Sequence, residues 1–333
     1  MLWPLAGVLG GLAAYFLVFA NLVDPLNPSP VPPDPSTYQF LWEVPKPPDK
    51  AVVLAADLNA RYAIGIPSVL MTLSFLATLI FAFAMILPAM GRAAIACGAV
   101  SLPIGAAIGF YEQYNNPLRM SVTNCPPGTA SPVCPLDQAV LRAGDGGTFD
   151  TAALDQILFL TNWNSMLSVA GIFLLAMCFL FLARTADEDQ LDPAQLRSRL
   201  SKMGTAMMLG ALVLIFSVAT ADGFYHLAPA LMAETDAEPF ASLALAGATY
   251  WGAVYTTVMI VISAPAAISI QHDIARATDI QMPGSSMKDR REWRLAHGLA
   301  MNTRESVGPM FAALAPVVTA PVLNAVRPVL IGE

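Results

Sequence analysis

The sequence predicts an all-α integral membrane protein: a bundle of six transmembrane helices, N-terminus and C-terminus cytoplasmic, with Pro-rich and disulfide-braced outer loops. Three observations lead there. Apolar stretches run at 3–22, 62–90, 93–111, 157–183, 203–222 and 243–270; about 20 such residues cover a hydrocarbon core roughly 30 Å thick. Of 333 residues, 56% are hydrophobic and only 12% charged, against about 25% charged in soluble domains. The basic residues also sort by side. Arg92, Arg184, Arg197, Arg199, Lys202, Arg276, Lys288, Arg290, Arg291, Arg294, Arg304 and Arg327 fall inside on this topology, and Lys46, Lys50, Arg61, Arg119 and Arg142 outside. That bias matches the positive-inside rule. Backbone amides in lipid must pair within their own segment, so each stretch is read as a helix.

Residues 1–23 form the first helix. It has no basic flank before Leu2-Trp3-Pro4 and no small-x-small site near Asn21–Pro25, so it reads as a retained anchor rather than a signal peptide. The outer loop 24–61 carries nine prolines; proline fixes φ and donates no hydrogen bond, which predicts an extended cap over the outer face. Residues 62–111 hold helices two and three, turning through Pro88-Ala89-Met90-Gly91-Arg92. Gly105 and Gly109 make a GxxxG step that lets another helix approach closely.

The outer loop 112–156 contains Cys125 and Cys134. In an oxidising compartment they are expected to close a short disulfide loop. Its Gly144–Asp150 run lacks the ligand alternation of a calcium loop and reads as an ordinary turn. Helix four covers 157–183. In the inner loop 184–202, Asp192 and Pro193 suit the start of a short surface helix, with Arg197, Arg199 and Lys202 near lipid headgroups. Helix five covers 203–222, an outer loop 223–242, and helix six 243–270.

The remaining residues, 271–333, read as a cytoplasmic basic and amphipathic tail. Lys288, Arg290, Arg291 and Arg294, with Trp293, suit anionic lipid headgroups. Residues 306–326 are almost uncharged but interrupted by Pro309, Pro316 and Pro321. An in-plane or protein-packed segment is the preferred reading; a seventh span and a re-entrant segment are the alternatives.

Chemistry is sparse. No acidic or basic side chain falls in the middle of any predicted span, which argues against proton-coupled transport. With His226, His272 and His297 the only histidines, paired haem ligands within spans are missing. No cofactor or metal is expected, and no basic face suits nucleic acid. Polar and aromatic residues gather at one depth near the outer surface: Arg61, Tyr111, Glu112, Asn162, Asn164, Asp222, Tyr225, His226 and Tyr250. Asp222 and His226, four apart on a helix, share a face. An aromatic belt with solvated helix ends explains this set; the sharper alternative is an outward pocket with Arg61 countering Glu112 or Asp222.

Three functions follow. The leading one is a non-enzymatic inner-membrane subunit or sensor, bacterial by its Ala-rich composition, with protein partners or further copies of itself. On that reading residues 284–333 can be deleted without unfolding the bundle. The second is a channel or transporter for a weakly polar solute, lined by Ser68, Thr72, Ser101, Ser165, Ser217, Thr256 and Thr257. The third is an outward-facing membrane enzyme using Asp222 and His226.

Overall fold

A computed structural model describes residues 49–115, 151–184, 191–227, 229–299 and 314–326. Among them every regular element is helical: α1 Lys50–Met90, α2 Arg92–Asn115, α3 Thr151–Leu182, α4 Pro193–Tyr225, α5 Glu234–Gln281, α6 Met287–Ala296 and α7 Leu314–Val326, with one 3-10 turn at Pro229–Leu231. Four helices, α1, α3, α4 and α5, are long and apolar enough to cross a membrane. They contain the predicted stretches 62–90, 203–222 and 243–270, and 157–183 except its last residue. The stretch 93–111 falls within α2, whose apolar run is Gly98–Tyr111. The first predicted helix, the cysteine pair Cys125 and Cys134, and most of the outer loops lie outside the described residues.

Several helices outrun their predicted ends. α1 begins at Lys50 rather than 62, so residues 50–61 are helical and not extended. The cause is local: Asp57 and Arg61, four apart, bridge on one face at 2.8 Å, and no proline interrupts 50–66. α4 does start at Pro193, although Asp192 makes no side-chain cap bond, but it runs on unbroken to Tyr225. The expected short surface helix is thus the first turns of a membrane-length helix. α5 likewise absorbs residues 234–242 and 271–281.

The turn between α1 and α2 depends on Gly91. Its φ of +54° lies in the left-handed region that favours glycine, and its N–H bonds the Leu87 carbonyl at 2.8 Å.

Glycine also sets the closest helix crossings. A Cβ on Gly105 would sit 2.9 Å from the Ala170 Cα, and one on Gly109 would sit 2.3 Å from the Ser165 carbonyl oxygen. The predicted GxxxG step is therefore the α2–α3 seam. On the other side of the bundle, a Cβ on Gly223 would lie 2.5 Å from the Ala63 carbonyl oxygen. Pro67 has no N–H to bond that carbonyl in the α1 ladder, so the freed oxygen faces the bare glycine of α4.

The main apolar core is built from α1, α3, α4 and α5 around Met71, Phe173, Phe179, Val213, Val258 and Met259, and it includes Leu299 and Ala320. Cys178 belongs to it, fully buried, as a small apolar core residue. A second cluster, Ile64, Ile157, Phe224, Tyr225 and Leu231, closes the end of the bundle where α4 stops. Because Leu299 and Ala320 are core residues, removing 284–333 would open the bundle; that truncation cannot separate a folding role from a binding role.

Candidate functional site

Three polar groupings mark the bundle. The central one is a chain of buried hydrogen bonds joining all four long helices. Asn164 on α3 donates through Nδ2 to the Ser68 hydroxyl on α1 at 2.7 Å and to its own helix at Leu160 O, 2.8 Å. Ser68 in turn donates to Ile64 O. One turn on, Ser168 bonds Asn164 O and meets Ser217 of α4 at 2.7 Å. Ser217 donates to the Tyr255 hydroxyl of α5 at 3.2 Å. At its edge, Trp163 Nε1 donates to Thr72 at 3.3 Å, and Thr72 donates to Ser68 O.

Every member is neutral and its hydrogen-bonding capacity is largely consumed within the protein. Such a chain fixes helix register. Asn164 Oδ1 is buried without a protein partner, so acceptor capacity remains within the chain. Replacing Asn164 with alanine is expected to lower stability by about 0.6–1.7 kcal/mol, the range for interhelical polar bonds in membranes. Ser68→Ala combined with it should add little further, because the two share one bond; thermal unfolding of the single and double variants checks this.

Of the residues proposed to line a solute path, Ser68, Thr72 and Ser217 meet in this chain. Thr257 instead bonds Ala253 O of its own helix. Ser165 lies at the α2–α3 seam, and the Ser101 side chain is outside the described residues. A shallow cleft elsewhere is apolar, lined by Ala82, Phe83, Ile86, Gly98, Leu174 and Met177.

The second grouping sits where α4 ends. Asp222 is buried, and its Oδ1 lies 3.4 Å from His226 Nδ1; that nitrogen is also 2.9 Å from Asp222 O. Asn324 of α7 donates to the same carboxylate at 3.3 Å. Trp251 Nε1 donates to the Tyr225 hydroxyl at 3.3 Å, and Tyr250 stands edge-on to Trp251. So Asp222, Tyr225, His226 and Tyr250 share one end of the bundle. Arg61 grips Asp57 through both oxygens, a partner the charge pattern did not suggest. Asn164 turns into the interior rather than toward this end. Asn162 is half-buried and Tyr111 is exposed on α2; the Glu112 side chain is outside the described residues.

The third grouping lies at the opposite end. Arg199, expected among headgroups, turns inward to the fully buried Asp273 of α5 at 2.6 Å, and its other nitrogen donates to Leu182 O and Arg184 O. A carboxylate out of reach of water requires a counter-charge, which overrides the pull of the headgroups. This bond ties the end of α3 to α4 and α5. Beyond it, α6 begins with a capping box: Ser286 and Asp289 exchange side-chain and backbone bonds. Arg290 pairs with Asp279 at 2.6 Å and Arg294 donates to Thr278 at 2.8 Å. These two arginines are thereby committed to α5, while Lys288 and Arg291 remain exposed. Among the described residues no group of three or more His, Cys, Asp or Glu could hold a metal.

No protein family, no curated protein and no solved structure matches this chain.

Proposed function

We propose that the protein is a non-enzymatic component of a bacterial inner membrane, an integral subunit or sensor that presents α6 to a protein partner. One observation carries this reading. α6 has no buried residue, yet it is held in place by the Arg290–Asp279 and Arg294–Thr278 bonds to the last turns of α5. Trp293 packs against the main core; apart from it, α6 is anchored by polar bonds and leaves its remaining surface available for presentation to a partner. Its free surface offers Met287, 86% exposed, and Leu295 beside Lys288 and Arg291. Lys288 pairs with Glu292 at 3.9 Å, so Arg291 supplies the positive charge beside these apolar side chains, which suits an acidic partner surface, with anionic headgroups nearby adding to the attraction.

The test keeps the core intact. In the full-length chain, Met287→Asp with Arg291→Glu is expected to abolish co-purification of the partner from the native membrane while leaving the melting temperature unchanged. Retained co-purification would remove the basis for the proposal.

A solute channel or transporter is the second reading, favoured by the convergence of Ser68, Thr72 and Ser217. It requires flux through protein-loaded liposomes that falls in Ser217→Ala without loss of fold. An enzyme built on Asp222 and His226 is the third; it requires His226→Ala to fold normally and lose a measurable turnover.

A further inference from the structure

The preferred reading of the sequence places the whole of 271–333 on one side of the membrane, with a seventh span or a re-entrant segment at 306–326 as the alternatives. The positions of α6 and α7 disagree with the preferred reading. α6 and Leu299 belong to the Arg199–Asp273 end: Arg290 and Arg294 bond the last turns of α5, and Gly298 lies against the Arg197 side chain near the start of α4. α7 lies at the other end. Asn324 bonds Asp222 near the close of α4, and Gly252, early in α5, meets the Pro316 carbonyl so closely that a Cβ would stand 2.4 Å from it. From Gly252 to Asp273, α5 rises about 32 Å, and from Arg199 to Asp222, α4 rises about 35 Å, at 1.5 Å per residue. That separation is a full hydrocarbon core.

We infer that α7 is docked across the Asp222 end of the bundle, with its exposed stripe toward acyl chains, so that α7 and α6 stand at opposite surfaces of the membrane. The surface of α7 fits lipid. Residues 314–326 contain no charge. Pro316 and Ala320 are buried and Asn324 is half-buried, each four apart, whereas Leu314, Val318, Val322 and Val326, also four apart, are exposed. An apolar stripe with no polar break, opposite a stripe seated on other helices, is the pattern of a helix between protein and acyl chains. Its one polar side chain on the docked face, Asn324, meets the buried Asp222 carboxylate and so gains a partner out of water. The account of α6 as a presentation device is independent of this inference, because α6 keeps its place at the Arg199–Asp273 end either way.

The experiment uses the full chain with two epitope tags, one inserted after Gly284 in the exposed turn before α6 and one appended after Glu333. A Cβ on Gly284 would meet nothing within 4 Å, so the insertion point is open. Protease is added to sealed right-side-out vesicles and, separately, to sealed inside-out vesicles. The expected result is that the two tags are cut in opposite preparations. Cutting of both tags in the same preparation would overturn the inference. Should the insertion lower the melting temperature, Met287→Cys, mapped by peptide after labelling with an impermeant maleimide, replaces the first tag and reads the same side.

Discussion

Asp273→Ala is expected to be among the most damaging single substitutions in the described chain, lowering stability by about 3 kcal/mol or somewhat more. The Asp273 side chain is fully buried, and Arg199, 18% exposed, reaches it at 2.6 Å. Removing the carboxylate strands a guanidinium that is itself mostly out of water. It also loosens the clasp on Leu182 O and Arg184 O, since the same guanidinium makes those bonds. Three helices then lose one shared tie. The pair was not retained for net attraction alone, since desolvation offsets much of the Coulomb gain. Replacing both partners, Arg199→Met with Asp273→Leu, should therefore recover part of the lost stability, the bonds to Leu182 O and Arg184 O remaining lost. Thermal unfolding of the two variants beside the native protein decides the matter; a double variant as unstable as the single would show that the bonds of the guanidinium, and not apolar packing, hold the site.

The second large effect is expected at the α2–α3 seam. Gly109→Val has no room: even its Cβ would meet the Ser165 carbonyl oxygen at 2.3 Å and the Met166 Cα at 2.9 Å. These are backbone atoms, unable to swing aside as a long side chain would. Overpacking of this kind costs about 1–3 kcal/mol, occasionally more. Adding Gly105→Val, whose Cβ would meet the Ala170 Cα at 2.9 Å, should drive α2 off α3 altogether. Gly65→Ala is the control. Nothing lies within 4 Å of its Cβ position, and alanine is the better helix former, so its melting temperature should hold or rise. Limited proteolysis between α2 and α3 and thermal unfolding both read the outcome.

Much of the bundle was legible because hydrocarbon burial writes itself as uninterrupted apolar sequence: the stretches that became α1, α3, α4 and α5 stand out without any motif. The GxxxG step was legible for the same reason, since only close backbone approach makes use of Gly105 and Gly109 at that spacing. Helix ends were not. Asp57 and Arg61 look like loop charges in sequence, yet on a helix they neutralise one another and extend α1 beyond its apolar stretch toward Lys50. Arg199 and Asp273 lie 74 positions apart, and nothing local marks them as partners. The Asp222–His226 pair was readable from its i, i+4 spacing, but its third member was not: Asn324 comes from a segment 102 residues away. The buried chain was half visible. Ser68, Thr72 and Ser217 were singled out as polar residues in apolar stretches, whereas Ser168 and Tyr255 gave no sign, and Asn164 was assigned to the outer surface because it stands beside Trp163. Which way a polar side chain faces on a helix rich in apolar residues depends on the neighbour that receives it.

The central claim is that the bundle serves a partner rather than a substrate, and native mass spectrometry of the protein released gently from its own membrane tests it most directly. The expected result is a stoichiometric protein partner that dissociates when Met287 and Arg291 are replaced. A partner-free protein carrying a bound small molecule would contradict the claim and return the question to the Asn164 chain and the Asp222 end.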